Sequence, residues 1–130
     1  NIYDPLGEGV WRCLTIAEHA LQRGRLVEFV LAASRASWAE GIDVRSDMAL
    51  RGLRERVGLD WQDCVAAIGN AGFRQRVEDN TARLAELGQW GVPTFIFRNE
   101  AYWGQDRIPD LESALRAAGL EKKKSMEQAA

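Results

Sequence analysis

Cysteine and histidine are nearly missing from this chain, and the few present stand apart. Its 130 residues hold two cysteines, Cys13 and Cys64, and one histidine, His19. No Cys-x-x-Cys pair occurs, and no His/Cys cluster of the kind that binds zinc, so no metal ligands are expected. Two cysteines so distant in sequence read most simply as small buried hydrophobes. His19 has no nucleophile beside it and reads as a surface or interface residue. Positive charge in blocks is also scarce: the net charge is −2, and Lys122-Lys123-Lys124 is the one basic run. Nucleic-acid binding usually leaves a basic stripe, so no nucleic-acid partner is expected. No apolar run approaches the roughly 18 residues of a membrane span, and no secretory signal opens the chain. A membrane partner is therefore not expected either. The sequence opens Asn1-Ile2-Tyr3-Asp4-Pro5 without an initiator methionine, as a processed chain or a fragment would.

What is present is mostly helical pattern. Val10, Leu14, Ala17 and Leu21 recur at helical spacing, and Gly24 ends that element. From Arg25 to Ala39 the run is apolar nearly all round, with Leu26, Val27, Phe29, Val30, Leu31 and Trp38, which predicts a helix buried on several sides and stopped by Gly41. Ser46 caps a helix carrying Leu50, Leu53 and Val57, closed by Gly58. Asp60 opens a short helix whose face is Trp61, Cys64, Val65 and Ile68. The next stripe is Phe73, Val77, Leu84 and Leu87, with Gly88 behind it. Asn80 falls on that stripe, and a polar amide on an apolar face needs partners, so it reads as a satisfied core or interdomain amide.

The pattern changes at Gly91. Thr94-Phe95-Ile96-Phe97 is a β-type run, Arg98-Asn99-Glu100 a polar turn and Ala101-Tyr102-Trp103 a second run, which together predict a hairpin. A last helix starts near Asp106 and Pro109, shows Ile108, Leu111, Leu115 and Ala118 on one face, and stops at Gly119. A two-stranded hairpin is marginal alone, and the β run is apolar on both faces, so further strands are expected beside it.

The stretches Gly91-Val92-Pro93-Thr94-Phe95-Ile96-Phe97, Trp103-Gly104-Gln105-Asp106-Arg107 and Leu111-Glu112-Ser113-Ala114-Leu115 form one recognisable set. With Trp38-Ala39-Glu40-Gly41 and Asn80-Thr81 upstream, the chain resembles 2-hydroxychromene-2-carboxylate isomerases. Those proteins are similar to kappa-class glutathione transferases and, more distantly, to DsbA-like bacterial disulfide oxidoreductases. The specific part is Gly-Val-Pro-Thr paired with Gly-Gln-Asp-Arg at this short spacing. The resemblance implies an α/β fold: a helical insertion domain (1–88), the C-terminal β-β-α half of a thioredoxin-like domain (89–120) and a polar, disordered tail (121–130). The opening β-α-β of that fold, with the serine or cysteine that faces the glutathione sulfur, has no counterpart here. No catalytic residue is thus expected in this chain.

The resemblance also assigns roles. Pro93 on spacing alone fits an ordinary trans proline at a first strand position, where the lost donor costs little. The resemblance implies a cis bond that turns the Val92 backbone toward a bound tripeptide, which could then pair with it as an added strand. Asp106 is explained by helix capping; the resemblance instead makes Gln105 and Asp106, with Val92, the glutathione-binding residues at the γ-glutamyl end. Arg107 reads as a solvated charge. Trp61 reads as core, while Trp38 and Trp103 are candidates for a substrate pocket and Trp90 flanks the same corner. The implied function is a glutathione-dependent isomerase or transferase acting on a small aromatic, electrophilic acid. Glutathione is its cofactor, and a homodimer in the bacterial cytoplasm is its setting. The alternatives are a DsbA-like thiol–disulfide oxidoreductase, or a truncated, non-catalytic binding or assembly module.

Overall fold

The computed structural model describes Tyr3 and residues 6–120; the expected polar tail at 121–130 lies outside the described residues. Six helices and one hairpin follow in order: α1 (Glu8–Gln22), α2 (Leu26–Trp38), α3 (Asp47–Val57), α4 (Trp61–Ile68), α5 (Ala71–Glu86), β1 (Thr94–Phe97), β2 (Glu100–Trp103) and α6 (Ile108–Ala117). This is a helix-rich α/β protein with a small sheet. Its contacts divide into two units, the first ending at Thr81 and the second opening at Ala82. The division falls inside α5, ahead of the expected boundary after residue 88. The buried positions of that helix, Phe73 and Val77, lie in its first two turns, so its later turns no longer belong to the first core.

In the first unit α1 packs on α2 and α4, and α2 packs on α3. Ile16, Phe29, Leu50, Leu53 and Cys64 are buried almost completely at their meeting point. The helix starts use the side chains the sequence offers. Ser46 Oγ accepts from the Ala49 N–H, and Asp60 Oδ1 accepts from the N–H groups of Gln62 and Asp63, satisfying amides that have no partner inside the helix. Asn70 does the same for α5, accepting from the Phe73 N–H at 3.1 Å. Trp61 is core, as its stripe predicts, with the Arg51 guanidinium over its ring at 4.4 Å.

Several expectations are overturned in this unit. On α4, Val65 is exposed and Ala67 is buried beside Trp61 and Cys64 instead. The buried face of α1 is Thr15, Ile16, His19 and Ala20, whereas Leu14 and Leu21 are exposed. Ile16 and Ala20 join the core that α1 forms with α2 and α4, and that packing takes precedence over the simple leucine stripe. The second helix is not buried on several sides: Phe29, Ala36 and Ser37 are covered, while Val27, Val30, Leu31 and Trp38 face outward. Asn80 is exposed, so no satisfied core amide exists there, because α5 has left the core by that turn.

In the second unit, β1 and β2 pair antiparallel from Thr94↔Trp103 to Phe97↔Glu100. The second strand therefore begins at Glu100, which the sequence pattern assigns to the turn. The two-residue loop Arg98-Asn99 has both φ angles positive, 49° and 66°, the sense that matches the twist of the flanking strands. Tyr102 is buried, and its hydroxyl donates to Glu100 Oε2 at 2.9 Å. That hydrogen bond, helped by burial, raises the phenol above its ordinary pKa. Among the described residues no further strand joins the sheet. In α6, Leu111, Leu115 and Ala118 are half-buried and Ile108 is exposed.

Candidate functional site

The residues singled out at the hairpin's open end meet in one corner. The Val92–Pro93 peptide bond is cis, and Val92 is 83% exposed. Its N–H and C=O take no hydrogen bond among the described residues, because ladder pairing begins only at Thr94. The loop is held from both sides: Thr94 Oγ1 donates to the Gly91 carbonyl at 2.6 Å, and the Gly104 N–H donates to the Pro93 carbonyl at 2.9 Å. The second bond ties the start of β1 to the turn that carries Gln105 and Asp106.

Two glycines make this closeness possible. A Cβ on Gly91 would collide with the Trp103 indole nitrogen and lie 2.8 Å from its Cε2. Gly104 has φ +100°, and a Cβ there would run into the Asp106 carboxylate; only glycine fits both demands. Asp106 is not the cap that sequence reasoning made it. It sits inside a single 3-10 turn, Gln105–Arg107, and neither that turn nor α6 has a side-chain cap. Among the described residues, the Gln105 amide and the Asp106 carboxylate are exposed and have no hydrogen-bond partner. Arg107 pairs instead with Asp110, Nε to Oδ2, at 2.6 Å, in keeping with its reading as a surface charge. Trp103 is 43% exposed at this corner. Trp38, the other pocket candidate, belongs to the first unit and stands 61% exposed at the end of α2.

The thiols offer no nucleophile. Cys13 and Cys64 are both free. Burial pushes the Cys13 thiol up to about 11 against the opposing pull of Arg12, and burial likewise raises Cys64. A thiolate is the reactive form, so both are inert near neutral pH. His19 corrects its surface reading: it is 7% exposed, and its Nε2 has no hydrogen-bond partner. That nitrogen lies 3.9 Å from Asp63 Oδ2, an oxygen already taken by Arg23 at 2.8 Å. His19 lines a hollow of about 400 Å³ in the first unit, with Arg23, Asp63, Asn70 and Phe73. Its place between Ile16 and Ala20 on the buried side of α1 is a tertiary fact that the leucine pattern concealed. Among the described residues no group of three or more His, Cys, Asp or Glu is placed to hold a metal ion. No helix there is long and apolar enough to cross a membrane.

Residues 8–116 match the DSBA-like thioredoxin domain, and the chain belongs to that family. Among curated proteins it is similar to the 2-hydroxychromene-2-carboxylate isomerase of Sphingobium xenophagum, 30% identical over 105 residues that cover 81% of this chain and 53% of that one. It is also similar to the 2-hydroxychromene-2-carboxylate isomerase of Pseudomonas putida, 33% identical over 89 residues covering 67% of this chain and 43% of that protein. The chain thus spans about half the length of the curated relatives it matches. No solved structure matches it significantly.

Proposed function

We propose that this chain is the glutathione-holding part of an isomerase that acts on a small aromatic acid, the kind of compound its relatives' names carry. The observation that supports this reading is the free Asp106 carboxylate two residues past Gly104, whose N–H is tied to Pro93 next to the unpaired backbone of Val92. A tripeptide with an ammonium at one end and an extended backbone suits that arrangement. Val92 would donate and accept one strand-like pair of hydrogen bonds, while Asp106 takes the ammonium by a charge-assisted bond. Gln105 would add its amide to the γ-glutamyl carboxylate. These donors and acceptors fit the tripeptide, and each lacks a competing partner among the described residues.

Bound glutathione would supply a thiol that adds to an electrophilic carbon and leaves again unchanged. This chain's residues do the holding and orienting. The group that activates the sulfur is expected outside it, since neither cysteine is reactive and His19 is enclosed among helices.

The family description favours one rival, a thiol–disulfide oxidoreductase, which needs an attacking thiol that Cys13 and Cys64 do not provide. Calorimetric titration of the chain with glutathione separates the readings. Asp106→Asn is expected to weaken binding by about tenfold or more, the size of one lost charge-assisted contact. Equal affinity in the wild type and this variant would remove the basis for the proposal.

A further inference from the structure

Several hydroxyls of this chain repeat what the backbone already does. Thr15, Thr81 and Ser113 each donate to the carbonyl four residues back inside a helix, alongside the helical ladder itself. Thr94 is different. Its Oγ1 donates at 2.6 Å to the Gly91 carbonyl, which accepts from no backbone N–H among the described residues. The bond closes a small ring around Val92 and Pro93. No ladder bond can do this, because Pro93 has no N–H to give and β1 opens only at Thr94.

The consequence lies in one peptide plane. The Gly91 carbonyl and the Val92 N–H belong to the same trans peptide unit, in which the two groups point in opposite directions. Drawing the carbonyl toward the half-buried Thr94 side chain therefore turns the N–H the other way. Neighbouring contacts hold the rest of the loop. The bare Cα of Gly91 lies against the indole of Trp103, which stands opposite Thr94 in the register. The Pro93 carbonyl accepts from the Gly104 N–H at 2.9 Å. A donor fixed in advance spares an arriving ligand the cost of ordering it.

We propose that Thr94 is a positioning residue: its hydroxyl, through the Gly91 carbonyl, sets the plane of the Gly91–Val92 peptide and so aims the Val92 N–H. The proposal rests on the reading of Val92 given above, and it concerns what holds that donor rather than what the donor takes.

Two substitutions separate this role from simple strand support. Valine keeps the branched shape of threonine and lacks the hydroxyl; serine keeps the hydroxyl and lacks the methyl group. Branched residues are favoured in strands, so strand support alone would rank valine with threonine and above serine. A hydroxyl that sets the peptide plane ranks serine with threonine and above valine.

The test joins two measurements on the full chain: calorimetric titration with glutathione, and ¹⁵N relaxation of the backbone amides without ligand. Thr94→Val is expected to weaken glutathione about fivefold, the size of one neutral hydrogen bond, and Thr94→Ser to stay within about twofold of wild type. The Val92 order parameter should be about 0.85 in the wild type and in Thr94→Ser, and should fall below about 0.6 in Thr94→Val. The amides from Phe95 to Phe97 should stay rigid throughout. The same Val92 order parameter in the wild type and both variants would overturn the proposal, as would glutathione affinity that Thr94→Val leaves unchanged. A loss as large in Thr94→Ser as in Thr94→Val would overturn it too, because it would assign the effect to the methyl group. So would new mobility spread along both strands in Thr94→Val, which would make the hydroxyl a support of the hairpin at large. If glutathione fails to bind the wild type while the Val92 order parameter follows the hydroxyl, the tripeptide reading falls and the positioning role stands.

Discussion

The two units of this chain are built on opposite plans. Up to Thr81 the chain surrounds a core of its own, with Ile16, Phe29, Leu50, Leu53 and Cys64 buried almost completely. From Ala82 onward, Tyr102 is the one buried large side chain among the described residues, and α6 buries none. The first unit carries few groups without an obvious structural use, the enclosed His19 being the main exception. The second leaves groups without a hydrogen-bond partner at the mouth of the hairpin: the Val92 backbone, the Gln105 amide and the Asp106 carboxylate. Packing is thus concentrated in the first stretch of chain, and groups without a partner in the second.

The largest expected effect tests that division directly. Leu53→Ala in the first core should cost about 2–5 kcal/mol, the range for emptying a buried leucine site. Leu115→Ala in half-buried α6 should cost about 1 kcal/mol, in line with the few methylenes it covers. Amide hydrogen exchange resolved by residue should show the first loss in α2, α3 and α4, and the second confined to the hairpin and α6. If Leu53→Ala lowers protection equally in both units, they open as one and the comparison fails.

A smaller effect concerns acid. The Asp60 carboxyl is lowered by hydrogen bonds from the backbone N–H groups of Asp63 and Gln62. A group whose folded pKa lies below its unfolded value adds stability above the unfolded value, about 3.9 for Asp, and loses it as pH falls through the folded one. Acid titration of the first unit, followed by circular dichroism, should therefore steepen below about pH 4, and Asp60→Asn should flatten that part of the curve. The hairpin signal should not change.

The smallest effect belongs to the turn. Asn99, at φ 66°, holds a left-handed angle that glycine adopts without penalty. Asn99→Gly should stabilise the hairpin by a few tenths of a kcal/mol, up to about 1, since an Asn already tolerates that region well. Slower amide exchange at Phe97 and Glu100 would be the sign. Faster exchange would mean that the Asn99 side chain holds the turn in another way.

Local rules were legible wherever one residue settles a local event. Ser46 and Asp60 could be read as caps because a short side-chain oxygen ahead of an apolar stripe has one favourable use. The hairpin and the stripe of α3 were legible for a similar reason, whereas in α4 the expected Val65 is exposed and Ala67 is buried in its place. Asp106 was misread by the same rule: it has the cap's chemistry, but a 3-10 turn intervenes before α6. The leucines of α1 misled because periodicity gives a helix without saying which face its neighbours choose. Asn70 was missed as a cap, although an Asn three residues before Phe73 is a readable signal.

The sequence by itself determined the helix starts, the break at Gly91, the hairpin and the small set of residues worth testing at its mouth. Those follow from forces acting over a few residues: capping, side-chain period and turn geometry. Only the tertiary structure decided that Leu14, Leu21 and Val30 face water while His19 is enclosed. It alone set the indole of Trp103 on Gly91 and left Asp106 without a partner. Burial is a competition among elements distant in sequence, and its outcome depends on which small residues permit close approach, something no local pattern contains.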